Sequence, residues 1–332
     1  MSINTVSLNE LVENSQIIWL KEHTMPEDEI LTSGLYKRGV WEAGTGEVKE
    51  YSEIDKEMYA PNAPEGEDYA EARVQQGYTK TVKPVRRGIV VTITWQMRQR
   101  NKYGEIKSKL ETWSSTVKNR MLLDLSHRFT YMTATSYTDK DGSTVDTSMG
   151  DALALAYSAH LVKGTSTTYR NRLAGNPALS KGSLELMEKM VIENTMNQFG
   201  EQELSVDYDV LWTFKDPNTI NMARVLLNST ADPDAPNAGV LNVNKAKYRL
   251  VTIHRGNTTA AGVALTDNTK NKYWGLVATP IFAAYLDIET PPTPIEPEEK
   301  YNGDVLFGAD GSYSICIVSG KGFAGSTGDG AA

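Results

Sequence analysis

The sequence contains one cysteine, and it also lacks several patterns that would place it in other protein classes. Cys316 cannot form a disulfide bond within the chain, and no cluster of Cys and His residues has zinc-site spacing. No apolar run reaches the eighteen residues of a membrane-spanning helix. Glu10, Glu13 and Asn14 interrupt the apolar residues at the place where a signal peptide would lie. We therefore expect a soluble protein that is made in the cytoplasm, with no membrane partner.

The chain also lacks the excess of basic residues that proteins wrapped in nucleic acid carry. Its formal net charge is −8, from 42 acidic and 34 basic residues. This balance argues against a nucleic-acid wrapper and leaves open a local basic face. Apolar residues make up 40% and charged residues 23% of the 332 residues, which is ordinary for folded proteins. The length gives room for two or three lobes.

No group of residues forms a convincing catalytic, cofactor or metal site. Gly320, Gly322 and Gly325 match the G-x-G-x-x-G fingerprint of dinucleotide sites, but too few residues follow to form the required helix and second strand. We interpret this segment as a flexible tail. Ser158 and His160 are near Asp151, but Ser158 lacks the G-x-S-x-G context of a nucleophile elbow. The sequence therefore predicts no enzyme, no cofactor and no metal.

The remaining histidines and the cysteine have simpler interpretations. His23, His127 and His254 stand alone, whereas a metal site needs several converging ligands, so each is assigned a packing or surface role. Cys316 alternates with Ile315 and Ile317 and is interpreted as a small apolar residue on a strand.

Residues 103–135 have the most regular pattern in the chain and predict one long amphipathic helix. No Pro or Gly interrupts residues 105–135, and the helix would be roughly 45 Å long. A helix of this length serves as a spine, or alternatively as the long core helix of a soluble enzyme. The predicted buried stripe consists of Ile106, Leu110, Trp113, Val117, Met121, Leu122, Leu125, Phe129 and Met132. The predicted polar face consists of Glu105, Lys107, Lys109, Glu111, Lys118, Arg120, Asp124 and Arg128.

Residues 1–33 are too short to form a lobe of their own and are interpreted as an arm. Leu11, Val12, Ile17, Ile18 and Trp19 give the arm an apolar segment. Such a segment docks on another surface, often that of a neighbouring subunit. The alternative is a first helix that packs on its own domain.

Residues 34–101 predict a long hairpin with two strand-like limbs and a polar tip around Pro61 and Asn62. The returning limb alternates strictly between Ile89 and Trp95. Charge divides along this segment, because residues 47–71 hold nine acids and two lysines, whereas residues 73–102 hold eight bases and no acid.

The divided charge has three interpretations. In the first, the limbs neutralise each other. In the second, they present complementary charges to two neighbouring subunits. In the third, the basic limb binds nucleic acid, and the nearby acids argue against this because they would repel phosphate. We predict contacts between subunits, and the residues predicted to make them are Trp19, Trp41, Glu53, Asp55, Glu57, Arg73, Lys80, Lys83, Arg86 and Arg87. Reversing Arg86 and Arg87 to Glu is expected to impair assembly and to leave the subunit folded.

The rest of the chain predicts an α+β lobe over residues 177–279. Ser180 or Ser183 caps one helix, and Asp216 with Pro217 begins a second. Strands are predicted at residues 210–214, 248–254, 273–278 and 281–288.

In residues 280–332, Pro291, Pro292, Pro294 and Pro297 predict a stiff crossing segment. Asp310-Gly311 predicts a hairpin turn between two further strands. Residues 324–332 are expected to be frayed.

This order of elements resembles the major capsid proteins of tailed bacteriophages, the HK-ninety-seven fold. In that α+β fold the parts would be an N-arm (1–33), an E-loop hairpin (34–101), a P-domain with a spine helix (102–176), an A-domain (177–279), and return strands with a terminal hairpin (280–332). Residues 151–160 and 176–187, and the segment 224–229 after Asp216-Pro217, resemble Mu-like head subunits.

The resemblance implies self-assembly into hexamers and pentamers of an icosahedral shell that encloses DNA without sequence-specific binding. It implies a virion location after assembly in the host cytoplasm. The implied partners are a portal, a separate scaffold protein or none, and decoration proteins. Two alternatives stay open, an encapsulin-like nanocompartment shell and a soluble α/β hydrolytic enzyme that uses Ser158 and His160.

Overall fold

The computed structural model describes residues 8–23, 27–42, 46–63, 65–66, 68–194, 197–201, 207–233, 240–265 and 269–330. The helices in these ranges are α1 (Leu8–His23), α2 (Glu29–Thr32), α3 (Trp95–Gln99), α4 (Tyr103–Thr130), α5 (Lys181–Asn194) and α6 (Pro217–Asn228). The strands are β1 (Lys37–Val40), β2 (Lys49–Lys56), β3 (Val74–Val82), β4 (Val85–Ile93), β5 (Ser136–Thr138), β6 (Thr144–Asp146), β7 (His160–Leu161), β8 (Thr168–Tyr169), β9 (Val210–Phe214), β10 (Arg249–Ile253), β11 (Trp274–Val277), β12 (Ala284–Glu299), β13 (Val305–Ile317) and β14 (Phe323–Ser326). None of these helices has both the length and the apolar character that crossing a membrane requires.

The spine helix α4 has 28 residues, which makes it roughly 42 Å long. All nine residues of the predicted stripe are buried. The helix ends at Thr130 and not at Thr135, because the next carbonyl groups bond to other segments. The carbonyl of Met132 accepts from the Ala156 amide (2.7 Å), and that of Thr135 accepts from the Thr147 amide (2.9 Å).

A four-stranded sheet in the order β1-β12-β13-β4 contributes β4 and β13 to the surface that α4 packs against. Strand β13 continues straight through Asp310-Gly311, so the predicted turn there is wrong. Asp310 is paired on both sides, with Gly88 of β4 and Thr293 of β12, and Gly311 is paired with Arg87 of β4. These long-range partners outweigh a local turn preference, and the chain turns instead at residues 300–304, where Gly303 has a φ of 80°.

The prolines predicted to form a crossing segment lie within β12. Strand β1 pairs with β12 only as far as Ile288, so among the residues that the structure describes the rest of β12 has only β13 as a strand neighbour. A proline has no amide hydrogen, and it is tolerated where one edge of the strand is free. Register shifts after Ile288 and Ile295 accommodate the prolines.

A second sheet, in the order β10-β9-β11-β14, forms the core of the other lobe. The Ser180 hydroxyl accepts from the Ser183 amide at the start of α5, and Asp216 caps α6 with Pro217 in its first turn, as predicted. Strand β14 pairs with β11, and Phe323 in it is 1% exposed. The prediction of a frayed tail is therefore wrong for residues 324–330, and residues 331–332 lie outside the described residues.

The paired hairpin is narrower than the predicted segment 34–101. Only β2 and β3 pair with each other, whereas β1 and β4 belong to the sheet that includes β12 and β13. Trp95, predicted in the returning strand, begins α3, where Thr94 caps the helix. The β2–β3 hairpin is thus connected to the four-stranded sheet, and this sheet packs on α4 through β4.

Candidate inter-subunit surface

Strand β2 divides the hairpin into two faces. Its residues alternate between partly buried and exposed along the whole strand. We call Lys49, Tyr51, Glu53 and Asp55 the inner row, because each of them contacts the body of the chain. Ile54 and Lys56 of β2, with Val74 opposite Lys56 on β3, are called the outer strip.

The first half of the inner row holds the hairpin base on β12. Lys49 Nζ lies 2.8 Å from Asp287 Oδ1, and the Asp287 side chain is 1% exposed. The Tyr51 hydroxyl donates to the other oxygen of Asp287, and its ring stacks on Tyr285 with centroids 4.2 Å apart. Burial and the bond to Asp287 raise the pKa of Tyr51 to about 12. A side chain at Gly39 would collide with Asp287 Oδ1, 2.3 Å from an ideal Cβ, so glycine there makes room for this carboxylate.

The second half of the inner row holds a buried lysine from the C-terminal segment. Lys321 Nζ lies 2.8 Å from Glu53 Oε1 and 2.7 Å from Asp55 Oδ2. Burial alone would lower the pKa of Lys321, but the two carboxylates outweigh burial and raise it, so the lysine stays charged. The Gln198 amide donates to Asp55 Oδ2 (2.8 Å).

Four other predicted contact residues also find partners within the chain. Lys80 forms an ion pair with Asp146. Glu57 and Arg73 pair across the tip (2.7 Å), and Lys83 lies 3.9 Å from Glu47. These two cross-limb pairs correspond to the interpretation in which the limbs neutralise each other.

Arg87 belongs to a buried cluster of charges, which we call the spine cluster. Arg87 and Arg120 both bind Asp139, at 2.8 and 2.6 Å, and Arg120 also binds Asp124 (2.8 Å). The Tyr313 hydroxyl donates to Asp124 (2.6 Å). Arg120 and Asp124 are therefore not on an exposed face of α4 as predicted, because their opposite charges are buried together.

The spine cluster changes the expectation for charge reversal. Arg86 pairs with Asp310 at the surface, with its own side chain 75% exposed. A glutamate at position 87, by contrast, would face Asp139 and Asp124 inside the chain and would destabilise the subunit itself. The expectation that the double reversal leaves the subunit folded does not hold for Arg87.

Both tryptophans that were predicted to contact other subunits pack against residues of their own chain. Trp41 is 8% exposed beside the hairpin base. Trp19 of α1 packs on Trp113 of α4 and stacks on His23, with ring centroids 4.8 and 4.3 Å apart. Helix α1 therefore packs on its own spine helix in this structure, which is the second of the two interpretations of the arm.

The outer strip is exposed. Ile54 is 62% and Val74 64% exposed, and Lys56 makes no ion pair with any residue in the described ranges. Sequence reasoning chose the charges and missed this strip. The signal that could have found it is the alternation along β2, which puts Ile54 on the face opposite Glu53 and Asp55.

A groove of about 890 Å³ lies between α1 and the proline-rich part of β12. Its apolar lining includes Val12, Trp19, Trp113, Pro294, Ile295 and Phe307. The charged residues that line it are Glu13 and Glu296. The groove is thus an apolar depression with acidic residues beside it.

The residues considered for chemistry form a buried polar pair without a nucleophile. His160 is fully buried, with Nδ1 2.7 Å from Asp151 Oδ2 and Nε2 3.2 Å from Asn171 Oδ1. Ser158 is exposed, and no hydrogen bond joins it to His160 within the described part of the chain. The arrangement ties the 151–171 segment together and does not activate a serine.

The other sequence candidates have structural roles. Gly320 and Gly322 lie in the turn before β14, where Gly322 has a φ of 75°. Cys316 is buried on β13, and burial raises the pKa of its thiol to about 12. No cluster of three metal-ligating side chains occurs among the residues described.

His127 gives the fold a pH dependence. It is fully buried in α4, and burial lowers its pKa to about 4, whereas in the unfolded chain it titrates near its ordinary value of about 6.5. The unfolded state therefore binds a proton on His127 at a higher pH than the folded state does. The free energy of unfolding falls as the pH drops from about 6.5 to 4, and His127 accounts for roughly 3 kcal/mol of this loss.

Denaturant titrations at several pH values measure this effect. His127→Gln is expected to remove most of the slope between pH 6.5 and 4, and His254→Gln, at an exposed position, is the matched control. An unchanged slope in His127→Gln would contradict this assignment.

Comparison with known proteins gives the fold. No protein-family model matches the chain, and no curated protein matches it by sequence. The capsid of Myoviridae phage XM1 is similar in structure, with a TM-score of 0.51 and 11% identity over 92% of this chain and 94% of that one. The mature capsid of bacteriophage PhiM1 has a TM-score of 0.47 and 10% identity, over 91% and 86% of the chains. A virus-like particle from Pyrococcus furiosus has a TM-score of 0.46 and 9% identity, over 96% and 99%. The α+β, HK-ninety-seven-type fold predicted from the sequence is confirmed.

Proposed function

We propose that the chain is a major capsid protein, many copies of which form an icosahedral shell around a double-stranded DNA phage genome. The fold shared with the phage XM1 capsid supports this proposal. The observation that carries it is the hairpin, whose charged inner row is satisfied within the chain while its apolar outer strip is exposed. We assign the outer strip to a contact with another copy, because its two exposed apolar side chains lie on the face of the hairpin opposite the inner row.

Assembly into hexamers and pentamers needs only weak individual contacts, because each copy makes several at once. The acidic chain suits a shell wall that confines DNA without gripping it. A portal, a separate scaffold protein and decoration proteins complete the proposed partners, and the virion is the proposed location, after assembly in the host cytoplasm. The role is structural, and it requires no catalytic residue or cofactor.

Electron microscopy of the purified chain tests this function. Closed particles of uniform size are the expected result. Particles that hold a protein cargo would instead identify a nanocompartment. A monomer with hydrolytic activity that is lost in Ser158→Ala would overturn the structural role.

Two acidic substitutions in the outer strip are expected to stop assembly. Ile54→Asp with Val74→Asp replaces an apolar contact by two like charges, and closed particles should disappear. The melting temperature should change little, because both side chains are more than half exposed. The control Ile54→Leu with Val74→Ile keeps the strip apolar and should assemble. Wild-type particle yield from the acidic variant would show that the outer strip makes no contact between subunits.

A further inference from the structure

We infer that a cavity beside the spine helix is a binding site for a small oxyanion, a compound that carries a phosphate or carboxylate group. The cavity has a volume of about 510 Å³. It lies between α4, the connection from β3 to β4, the β5–β6 hairpin and β13. All of its lining residues belong to one chain, so the inference goes beyond the proposed function and does not depend on shell formation.

The cavity forms where β4 stops pairing with β13. The last pair on this side is Tyr313 with Val85, and the following residues of β13 have no β4 residue beside them. The side chain of Arg128 reaches this edge from α4. Its Nη2 donates to the Ile315 carbonyl (3.4 Å), and its Nη1 donates to the Asp146 carbonyl. A guanidinium group therefore lies where the helix, the strand and the hairpin meet.

Two of the four cations that line the cavity lack a close carboxylate. Arg128 is half-buried and makes no ion pair within the described part of the chain. The acid nearest to Lys83 is Glu47, at 3.9 Å, and both of these side chains are more than half exposed. The other two cations, Lys80 and Arg87, form the ion pairs described above.

The carboxylates in the lining already have partners of their own. Asp124 belongs to the spine cluster, and Asp146 binds Lys80. Asp141 accepts hydrogen bonds from the amide (3.0 Å) and the hydroxyl (2.6 Å) of Ser143. The lining thus carries positive charge that its own acids leave unmatched.

Buried hydrogen-bond donors in the lining indicate the same chemistry. Arg87 Nε, Arg128 Nε and the Ser314 hydroxyl are buried and have no hydrogen-bond partner among the described residues. The whole Ser314 residue is 4% exposed. Asp124 Oδ1 also lacks a hydrogen bond, but it lies 2.8 Å from a guanidinium nitrogen of Arg120. A buried donor without an acceptor is costly, so a ligand in this cavity has to bring acceptor oxygens.

An oxyanion supplies both negative charge and acceptor oxygens. Arginine binds phosphate and carboxylate groups well, because its planar N–H donors match the spacing of their oxygens. Water satisfies buried donors but brings no charge. The cavity volume lies within the range of small-molecule sites, about 300–1,000 Å³. An anion bound to Arg128 would connect α4, β13 and the β5–β6 hairpin.

Isothermal titration calorimetry of the purified chain with sodium phosphate, at constant ionic strength, tests the site. We expect saturable binding of one anion per chain, and a melting temperature that rises with phosphate concentration. A parallel titration with citrate shows whether phosphate or carboxylate groups bind more tightly. Binding of neither anion would overturn the inference, and so would an equal rise in melting temperature in sodium chloride of the same ionic strength.

Ser314→Ala separates a ligand-binding role from a structural role. The substitution removes a hydroxyl without a partner, so the melting temperature in the absence of anion should be unchanged or higher. The affinity for the anion should fall about tenfold, as expected for the loss of one hydrogen bond to a charged group. An unchanged affinity would overturn the site.

Arg128→Gln is expected to weaken anion binding at least tenfold. Because this change also removes hydrogen bonds to two carbonyls, Lys83→Gln at an exposed position is the second variant, and it should weaken binding without lowering the melting temperature. Arg224→Gln, which removes an exposed arginine of α6 outside the cavity, is the matched control and should bind as the wild type does. Unchanged binding in both Arg128→Gln and Lys83→Gln, or an equal loss in Arg224→Gln, would overturn the site.

Discussion

A chain that ends at Gly320 is expected to be recovered unfolded or aggregated. The truncation removes β14, which pairs with β11 along its whole length. It also removes Phe323, whose ring lies 5.8 Å from that of Trp212 and 6.0 Å from that of Phe129. Loss of one such buried aromatic costs about 3–5 kcal/mol, and the whole strand contributes more. A domain whose total stability is about 5–15 kcal/mol does not survive this loss.

Circular dichroism and size-exclusion chromatography measure the outcome. A chain that ends at Gly330 keeps β14 and is the control, with an unchanged melting temperature expected. A truncated chain that stays monomeric and melts at the temperature of the full chain would show that β14 is dispensable.

Replacing Asp139 by alanine is expected to lower the free energy of unfolding by about 3–5 kcal/mol. The Asp139 side chain is 1% exposed and binds both Arg87 and Arg120. Burial would raise the pKa of Asp139, but the hydrogen bond from Arg120, the Lys140 amide and the two guanidinium charges lower it. Its removal leaves two mostly buried guanidinium groups with Asp124 as their remaining partner within the spine cluster.

Asp141→Ala is the matched control for this variant. Asp141 lies on the same turn, 59% exposed and 3.8 Å from Arg87. Its loss should lower the free energy of unfolding far less than the loss of Asp139, because solvent screens a pair formed by an exposed carboxylate. Urea unfolding of both variants gives the comparison, and equal midpoints for Asp139→Ala and Asp141→Ala would mean that the spine cluster contributes no more than a surface pair.

The elements that the sequence predicts correctly are those whose signal is local. The stripe of α4 repeats with the helical period, and a stripe of that width has to be buried. Asp216-Pro217 begins α6 because the aspartate can accept a bond from the Thr219 amide and the proline has no amide hydrogen to lose. Strand β9 is recognisable because all five of its residues are apolar or threonine, and all five are buried.

The errors occur where distant partners decide the structure. Asp310-Gly311 has the composition of a turn, but β4 and β12 flank the strand at this point and hold it straight. The glycine-rich end of the chain has the composition of a tail, but β11 offers it an edge to pair with. Neither partner is detectable from the residues within reach of a short sequence window.

The predicted contact residues illustrate the same limit on the candidate site. Glu53 and Asp55 stand out in the sequence because they are charged, yet a charge can be matched by any opposite charge that the fold brings near. Lys321 is more than 260 residues away along the chain, and nothing in the local sequence links it to the hairpin. Ile54 and Val74 do not stand out as single residues: the two-residue period of β2 assigns Ile54 to the opposite face, and the pairing of Val74 with Lys56 assigns Val74 to it.

The two attachments of the inner row, at Asp287 and at Lys321, have a mechanical consequence. A hairpin fixed at one point can swing, whereas one fixed at two separated points keeps its angle to the body. If copies meet through the hairpin, this angle becomes the angle between neighbours, and with it the curvature and radius of the closed particle. The diameter of the particle would then depend on two small groups of salt bridges, and weakening Lys49–Asp287 would broaden the distribution of particle sizes.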